Sequence, residues 1–262
     1  MIKAFTVLAA TILAAAPHAR SQDSAVAALQ GAEARPKYGF GVGEVLDYDI
    51  RVAFARGRAR LEILSLDTVR NRQALHAQFT IRGGIPGFRV NEVYDTWVDA
   101  DNISTLRYHE DVHSGSYERR RRYEFYPERR LFIEGVDTVP TVERPVDQAS
   151  IFYLIRTLNL RVGLDTSFNN YFLIDRNPIR IIVLGRERIR VPAGEFDAIV
   201  VRPIIKAKGV FSEGGDARVW ISDDDRRIVL QVKANIPNFP LGGMNLYLRN
   251  YRPATIPPAN KP

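Results

Sequence analysis

Apolar and polar residues alternate with a period of two along most of the chain after residue 44. In residues 46–54, apolar side chains occupy one face and charged side chains the other, which is typical of a strand with one buried face. Comparable runs predict further strands up to residue 251. They cover residues 58–69, 75–82, 89–99, 103–113, 116–126, 130–136, 170–174, 179–184 and 245–251.

Residues 191–235 contain the clearest series of strands in the sequence. Apolar runs rich in β-branched residues are separated there by a Pro-Ala-Gly turn, a Gly-Gly-Asp turn and an acidic turn. About a dozen strands with short connections favour antiparallel pairing. Because such a long sheet twists until it curls or closes, the predicted fold is all-β and mainly antiparallel, with a strongly curved sheet or an open or half β-barrel.

One segment in the middle of the chain breaks this period. Asp147 is a suitable helix cap and follows Pro145 closely. Apolar residues then recur at helical spacing from Ile151 to Leu158. We therefore expect one central helix, placed where it plugs or covers the curved sheet.

The first 21 residues have the features of a secretory signal peptide. Lys3 provides a positive start, residues 4–16 are apolar, and residues 19–21 (ARS) offer small side chains for cleavage after Ser21. The apolar run is short for a helix that spans a membrane, and an uncleaved anchor is the alternative interpretation.

The remaining chain is predicted to contain a single domain. Residues 22–37 form a flexible leader, residues 38–252 the β-rich domain and residues 253–262 a Pro-rich tail. The sequence has no cysteine, which excludes disulfides and N-terminal lipidation. No later segment is apolar over the length of a bilayer. We expect a periplasmic or secreted protein that does not span the membrane after signal cleavage.

Basic residues exceed acidic ones, 37 against 30, and the net charge of +7 is spread along the chain. This excess favours anionic surfaces such as lipid headgroups and is too diffuse to indicate nucleic acid. The densest basic run is residues 119–122. We interpret it as a solvated hairpin paired with nearby carboxylates. The alternative is an anion-binding site formed by Arg119 and Arg121.

Four segments resemble motifs of the DUF3108 family of exported bacterial proteins. They are residues 40–48 (FGVGEVLDY), 146–156 (VDQASIFYLIR), 191–196 (VPAGEF) and 217–224 (ARVWISDD). The resemblance extends over about residues 38–251. It implies a β-rich exported domain, similar at the level of the fold to the open half-barrels of periplasmic lipoprotein carriers. The family has no assigned activity, so the resemblance supplies no catalytic residues.

Residues 109–113 read HEDVH and match the HExxH motif of zinc proteases. That motif needs a helix, because only there do residues four apart share a face and bind one ion. Here the alternation predicts a strand, in which His109 and His113 lie about 13 Å apart. We therefore expect no metal site at this motif.

Two Gly- and Pro-rich segments, residues 83–88 and 236–244, carry apolar side chains where loops are usually polar. Such segments either contact a ligand, membrane or partner, or complete the core at one end of the barrel. Together with the central helix they provide the candidate ligand-binding residues. These are Ile85, Phe88, Phe152, Phe239, Leu241 and Met244.

Motifs for nucleophilic catalysis and phosphate binding are missing from the sequence, which has no Gly-x-Ser-x-Gly elbow and no P-loop. We therefore expect no enzymatic activity and no cofactor. The leading hypothesis is an exported envelope protein that binds a lipid-like or other apolar molecule in the curved sheet. One alternative is an assembly or structural protein that docks another envelope protein through its apolar loops. A metal hydrolase using His109 and His113 is the least favoured alternative.

Overall fold

The computed structural model describes residues 38–53, 55–206, 216–235 and 243–255. The predicted signal peptide, the leader and residues 256–262 of the tail lie outside them. The described residues form fourteen strands and one α-helix: β1 (Val45–Val52), β2 (Ala55–Val69), β3 (Arg72–Ile85), β4 (Phe88–Asp99), β5 (Thr105–Ser114), β6 (Tyr117–Tyr126), β7 (Leu131–Glu134), β8 (Asp137–Pro140), α1 (Ser150–Thr157), β9 (Asp165–Phe168), β10 (Ile179–Val191), β11 (Gly194–Ile204), β12 (Asp216–Ser222), β13 (Val229–Asn235) and β14 (Gly243–Arg252).

All fourteen strands belong to one antiparallel sheet. Its order is β8-β7-β6-β5-β4-β3-β2-β1-β14-β13-β12-β11-β10-β9. The chain therefore runs from the centre to one edge, crosses over, and returns from the other edge until β14 pairs with β1. Among the described strands, the edge strands β8 and β9 do not pair with each other, so the sheet is open. This confirms the predicted open, mainly antiparallel sheet with one helix.

The alternation of side chains gives the sheet one buried face. On β1 and β2 the apolar residues of that face are almost completely buried, namely Leu46, Tyr48, Ile50, Ala59, Leu61 and Ile63. Charged residues of the same strands pair on the opposite face, as Arg60 does with Asp47 across 2.7 Å. The two faces are called concave and convex below.

The connection between β8 and β10 fills part of the concave side. Its Phe172 packs against Tyr123, Phe125 and Phe132, with ring centroids 5.6–5.7 Å apart. α1 belongs to the same connection and buries most of its residues. In the described part of the chain, no helix combines the length and the apolar character needed to cross a bilayer.

Residues 170–174 were expected to form a strand, but they do not. Only Tyr171 makes an isolated bridge, to Val146, and a 3₁₀ turn follows at Ile174–Arg176. The side chain of Asn177 explains the difference, because it accepts a hydrogen bond from the Tyr171 N–H at 2.9 Å and donates one to the Tyr171 carbonyl at 2.8 Å. These bonds replace the pairing with a neighbouring strand.

Residues 83–88 form a hairpin rather than the loop that their Gly and Pro content suggests. β3 continues to Ile85 and β4 begins at Phe88, so only Pro86 and Gly87 form the turn. Gly84 and Gly87 have φ of +132° and +81°. Glycine adopts these angles without steric cost, which allows the strand to reach the turn.

Candidate functional site

A cavity of about 530 Å³ lies on the concave side of the sheet. Its walls are mainly apolar and come from both halves of the sheet and from α1. The lining residues include Ile50, Phe79, Ile81, Ile85, Phe88, Val90, Ile151, Phe152, Ile205, Val232, Met244 and Leu246. Because strands as distant in the sheet order as β5 and β13 contribute to one cavity, the curvature of the sheet creates it.

Two glycines leave space on the concave face near the hairpin ends. Gly57 on β2 is opposite Gly83 on β3, and both line the cavity. A Cβ on Gly57 would lie 2.8 Å from the carbonyl oxygen of Arg82, and a Cβ on Gly83 would lie 2.9 Å from the Cα of Gly57. Neither position therefore accommodates a side chain, and bare backbone forms this part of the wall.

One side of the cavity carries polar groups that we call the polar wall, formed by Glu92, Tyr94, Ser114 and Gln148. The two carboxylate oxygens of Glu92 accept hydrogen bonds from the Tyr94 hydroxyl at 2.7 Å and the Ser114 hydroxyl at 2.8 Å. Burial and the nearby Glu92 raise the pKa of Tyr94, so its hydroxyl remains protonated. The polar wall thus presents a carboxylate to a mainly apolar space.

A second carboxylate, Glu110, lies behind the polar wall. It is almost completely buried and contacts Gln148 of the wall at 3.4 Å. Arg119 Nη2 lies 2.8 Å from Glu110 Oε2. Burial raises the pKa of Glu110, and the positive charge of Arg119 opposes that rise. The pair therefore places one buried negative charge and its counterion beside the cavity.

The helix α1 begins at a buried hydrogen-bonding centre. Asp147 Oδ1 accepts from the N–H groups of Ala149 and Ser150 at 2.7 and 2.9 Å. Asp147 Oδ2 accepts from the hydroxyls of Thr96 on β4 and Thr105 on β5, both at 2.6 Å. The predicted cap is therefore present, and it also fixes the start of α1 to the sheet.

The end of α1 is held by a buried ion pair. Arg156 Nη1 and Nη2 donate to the two carboxylate oxygens of Glu44 at 2.7 and 2.8 Å. The side chains of Arg156 and Glu44 are 0% and 2% exposed. The guanidinium also lies 4.6 Å from the ring centre of Phe40. Both ends of the helix are thus fixed, which positions Ile151 and Phe152 in the cavity wall.

The predicted ligand-binding residues fall largely in this cavity. Ile85, Phe88, Phe152 and Met244 line it, whereas Phe239 and Leu241 lie outside the described residues. No observation tests whether any of them contacts a ligand, so their binding role stays a prediction.

The two arginines predicted as an anion site have carboxylate partners. Arg119 pairs with Glu110, and Arg121 Nε lies 3.4 Å from Glu134 Oε1. Arg120 pairs with Asp111, so three of the four arginines match the salt-bridged interpretation, whereas Arg122 donates to backbone carbonyls. Both arginines belong to β6 and stand on the face that also carries the buried Tyr123, so they border the region behind the polar wall.

The HEDVH motif lies entirely on β5, as its alternation predicts. The His113 ring pairs with Asp111 at 2.8 Å and approaches Glu118 at 3.3 Å. The His109 ring packs edge-on against Trp97, with centroids 5.0 Å apart. Within the described ranges, no group of three or more His, Asp or Glu side chains is arranged to hold a metal ion.

Comparison with known protein families gives one match over most of the chain. Residues 47–248 match the family described as "Protein of unknown function (DUF3108)". The chain belongs to the DUF3108 family. The match spans β1 to β14, so this DUF3108 domain includes the cavity, the helix and the polar wall. Comparison with curated proteins gives no significant match.

One solved structure supports the fold of the DUF3108 domain. A crystal structure described as a beta-barrel-like protein of the domain of unknown function DUF1849, from Brucella abortus, has a TM-score of 0.52 at 10% identity. The alignment covers 82% of this chain and 98% of that one. A protein from Bacteroides fragilis described as having a YmcC-like fold has a TM-score of 0.31 at 11% identity, with the same coverages. The similarity to the Brucella abortus structure concerns the fold alone.

The polar wall of the DUF3108 domain was not predicted from its sequence. Glu92 and Tyr94 occur on β4 at the same parity as the buried Thr96 and Val98. A carboxylate on the apolar side of an alternating strand is an unusual placement. The placement of Glu92 among apolar positions could have indicated the polar wall. It could be recognised only once the structure showed which face of β4 is turned inward.

Proposed function

We propose that this DUF3108 protein is a non-enzymatic, exported protein that binds a lipid-like molecule in the cavity of its curved sheet. The observation that carries the proposal is the mainly apolar cavity of about 530 Å³ with a polar wall on one side. Ligand sites of small molecules have volumes of roughly 300–1,000 Å³ and combine apolar walls with few polar groups. An amphiphilic molecule with an apolar body and a hydrogen-bond donor fits both features.

The apolar walls of the cavity support occupancy by an apolar ligand. The cavity is open to solvent, so without a ligand its apolar walls are hydrated. An apolar ligand that displaces this water gains the free energy of removing apolar surface from water.

The same cavity separates this proposal from the two alternatives. A protein that only docks a partner needs no open interior. A metal hydrolase would require the two histidines of the HEDVH motif on one helical face, and they lie on the strand β5 instead. Measurement of zinc in the purified protein tests this point, because stoichiometric zinc that is lost in His109→Ala would contradict a non-enzymatic role.

Ligand binding is testable with two variants of one strand. Val90 lines the cavity, and Val93 lies on the opposite face of β4 and outside the lining. We expect Val90→Trp to fill part of the cavity and weaken binding of a fluorescent fatty acid at least tenfold, and Val93→Trp to bind as the unchanged protein does. Circular dichroism establishes that both variants are folded. Equal affinities in both variants, or no binding by the unchanged protein, would contradict the proposal.

The identity of the natural ligand requires a separate experiment. The protein is purified without detergent from its native host, extracted with organic solvent, and the extract is examined by mass spectrometry. We expect a lipid-like compound in the unchanged protein and less of it in Val90→Trp. An extract without any apolar compound, in a protein that also fails to bind the fatty acid, would exclude a lipid carrier.

A further inference from the structure

Three hairpin tips lie side by side at one end of the cavity. The register places Val52 opposite Ala55 at the first tip and Ile85 opposite Phe88 at the second. The third tip, between β5 and β6, adjoins the second because Val90 pairs with Ser114. Residues of the first two tips also line the cavity, so a surface that contacts these tips lies next to it.

The second and third tips expose large apolar side chains. Phe88 is 47% exposed and Tyr117 is 54% exposed. The Phe88 ring extends over the neighbouring turn, because a Cβ on Gly115 would lie only 2.5 Å from its Cε2 atom. Aromatic and aliphatic side chains at the end of a hairpin are the groups that enter the boundary between lipid headgroups and acyl chains.

The charges around the first two tips are all positive. Residues 50–58 and 81–91 contain five arginines and no aspartate or glutamate. Four of these arginines form no ion pair with any described residue, and one of the four, Arg51, lies over the ring of Tyr247. The other three are Arg56, Arg82 and Arg89. We call these three the basic rim. By contrast, the arginines of the convex face of β10 pair with carboxylates, as Arg190 does with Glu195.

We propose that the basic rim and the apolar tips dock this end of the cavity on an anionic lipid surface. Unpaired arginines attract the anionic headgroups, and Phe88 with its neighbours enters the layer beneath them. The inference rests on the proposed function, since a docked entrance allows a lipid to pass between membrane and cavity without crossing water. A cavity that takes up its ligand from solution would not need both the apolar tips and the basic rim.

Co-sedimentation of the mature protein with vesicles tests the docking surface. Vesicles of phosphatidylcholine alone are compared with vesicles that also contain phosphatidylglycerol. We expect binding to the anionic vesicles only, and a roughly fivefold weaker affinity for each rim arginine replaced by glutamine. Phe88→Ser should also weaken binding to the anionic vesicles.

Matched controls come from β10. The triple variant R186Q, R188Q and R190Q removes the same charge as replacement of the basic rim, from a different surface. Leu184→Ser removes an apolar side chain that is 45% exposed. Both controls should bind anionic vesicles like the unchanged protein. A control triple variant that loses as much affinity as the rim variant would overturn the proposal, because net charge alone would then explain binding.

Two further outcomes separate docking from ligand binding. The unchanged protein is titrated with the fluorescent fatty acid in solution without vesicles. Fatty-acid binding without vesicle binding would overturn the docking proposal and retain the proposed function. Vesicle binding without fatty-acid binding would overturn the proposed function and retain the docking surface. Absence of vesicle binding together with crosslinking of one dominant protein through the Phe88 tip in cells would also overturn docking on lipid, since that surface would then bind a protein.

Discussion

Replacement of Arg156 by methionine tests whether the buried ion pair holds the helix in place. The change removes two hydrogen bonds to Glu44, of 2.7 and 2.8 Å, and one to the Arg226 carbonyl of 3.0 Å, and it leaves the Glu44 carboxylate buried without its counterion. The two partners are 112 residues apart in the chain. Their contact therefore joins α1 to the start of β1 and does not depend on local helix formation.

The expected loss of stability is large. Removal of one partner from a buried pair costs about 3–5 kcal/mol, because an uncompensated charge remains in the core. With a urea m-value of about 3 kcal/mol per M for a domain of this size, the unfolding midpoint should fall by roughly 1–1.7 M. Replacement of both partners by apolar residues, in the double variant E44L and R156M, should recover most of the loss.

The domain contains a suitable control pair at the surface, which is also bidentate. Arg180 donates to both carboxylate oxygens of Asp165 at 2.8 and 2.6 Å, and the two side chains are each 48% exposed. Arg180→Met should cost less than about 1 kcal/mol, because water screens exposed pairs. Urea unfolding followed by circular dichroism measures all four proteins, including the unchanged one.

Two results would refute this reasoning. If Arg156→Met destabilises the domain no more than Arg180→Met does, burial does not make the stability of the domain depend more strongly on the ion pair. If the double variant is as unstable as Arg156→Met, the unpaired carboxylate is not the cause of the loss. In either case the positioning of Ile151 and Phe152 in the cavity wall would have to depend on the Asp147 end of the helix.

Three further predictions concern the same region. Asp147→Ala should cost about 3 kcal/mol in urea unfolding, because it removes a helix cap and leaves two buried threonine hydroxyls without their acceptor; a loss no larger than that of a surface variant would contradict this. The raised pKa of Glu110 means that the folded state binds more protons than the unfolded state just above pH 4.5, so its contribution to stability falls as pH rises through that window. The free energy of unfolding, measured at several pH values, should therefore show Glu110→Gln gaining stability relative to the unchanged protein as the pH rises through this range. A difference between the two proteins that does not change with pH would contradict the raised pKa. Gly83→Ala should destabilise the hairpin, because its Cβ would lie 2.9 Å from the Cα of Gly57, whereas Gly185→Ala, with nothing within 4 Å of the added Cβ, should be tolerated; similar melting temperatures for the two variants would contradict the close contact.

Local patterns predicted most of the strands because the direction of a side chain depends only on its position along a strand. The runs around residues 46–54 and 116–126 correspond to β1 and β6, and the Asp147 signal correctly marks the start of α1. The short edge strands β8 and β9 were not predicted, since their sequences, DTVP and DTSF, show no alternation of apolar and polar residues. The prediction of a strand at residues 170–174 was wrong because the Asn177 side chain takes over the hydrogen bonds of Tyr171.

The candidate site was predicted only in part. Ile85, Phe88, Phe152 and Met244 were chosen as apolar residues in unusual positions, and they do line the cavity. Glu92 was not chosen, because a single carboxylate among many on alternating strands has no distinctive spacing. Its importance depends on Ser114, which belongs to the neighbouring strand and reaches it through the register of β4 and β5.

The sequence by itself determined the antiparallel strands, the faces they bury and the one helix, because these features depend on periodicities of two and about four residues. Only the tertiary structure decided that the interior is hollow. Pairing of β1 with β14, the contact of Gly57 with Gly83 and the ion pair of Glu44 with Arg156 join residues that are distant in the chain. The curvature of the sheet and the volume it encloses follow from all such contacts together, so no local pattern in the sequence specifies them.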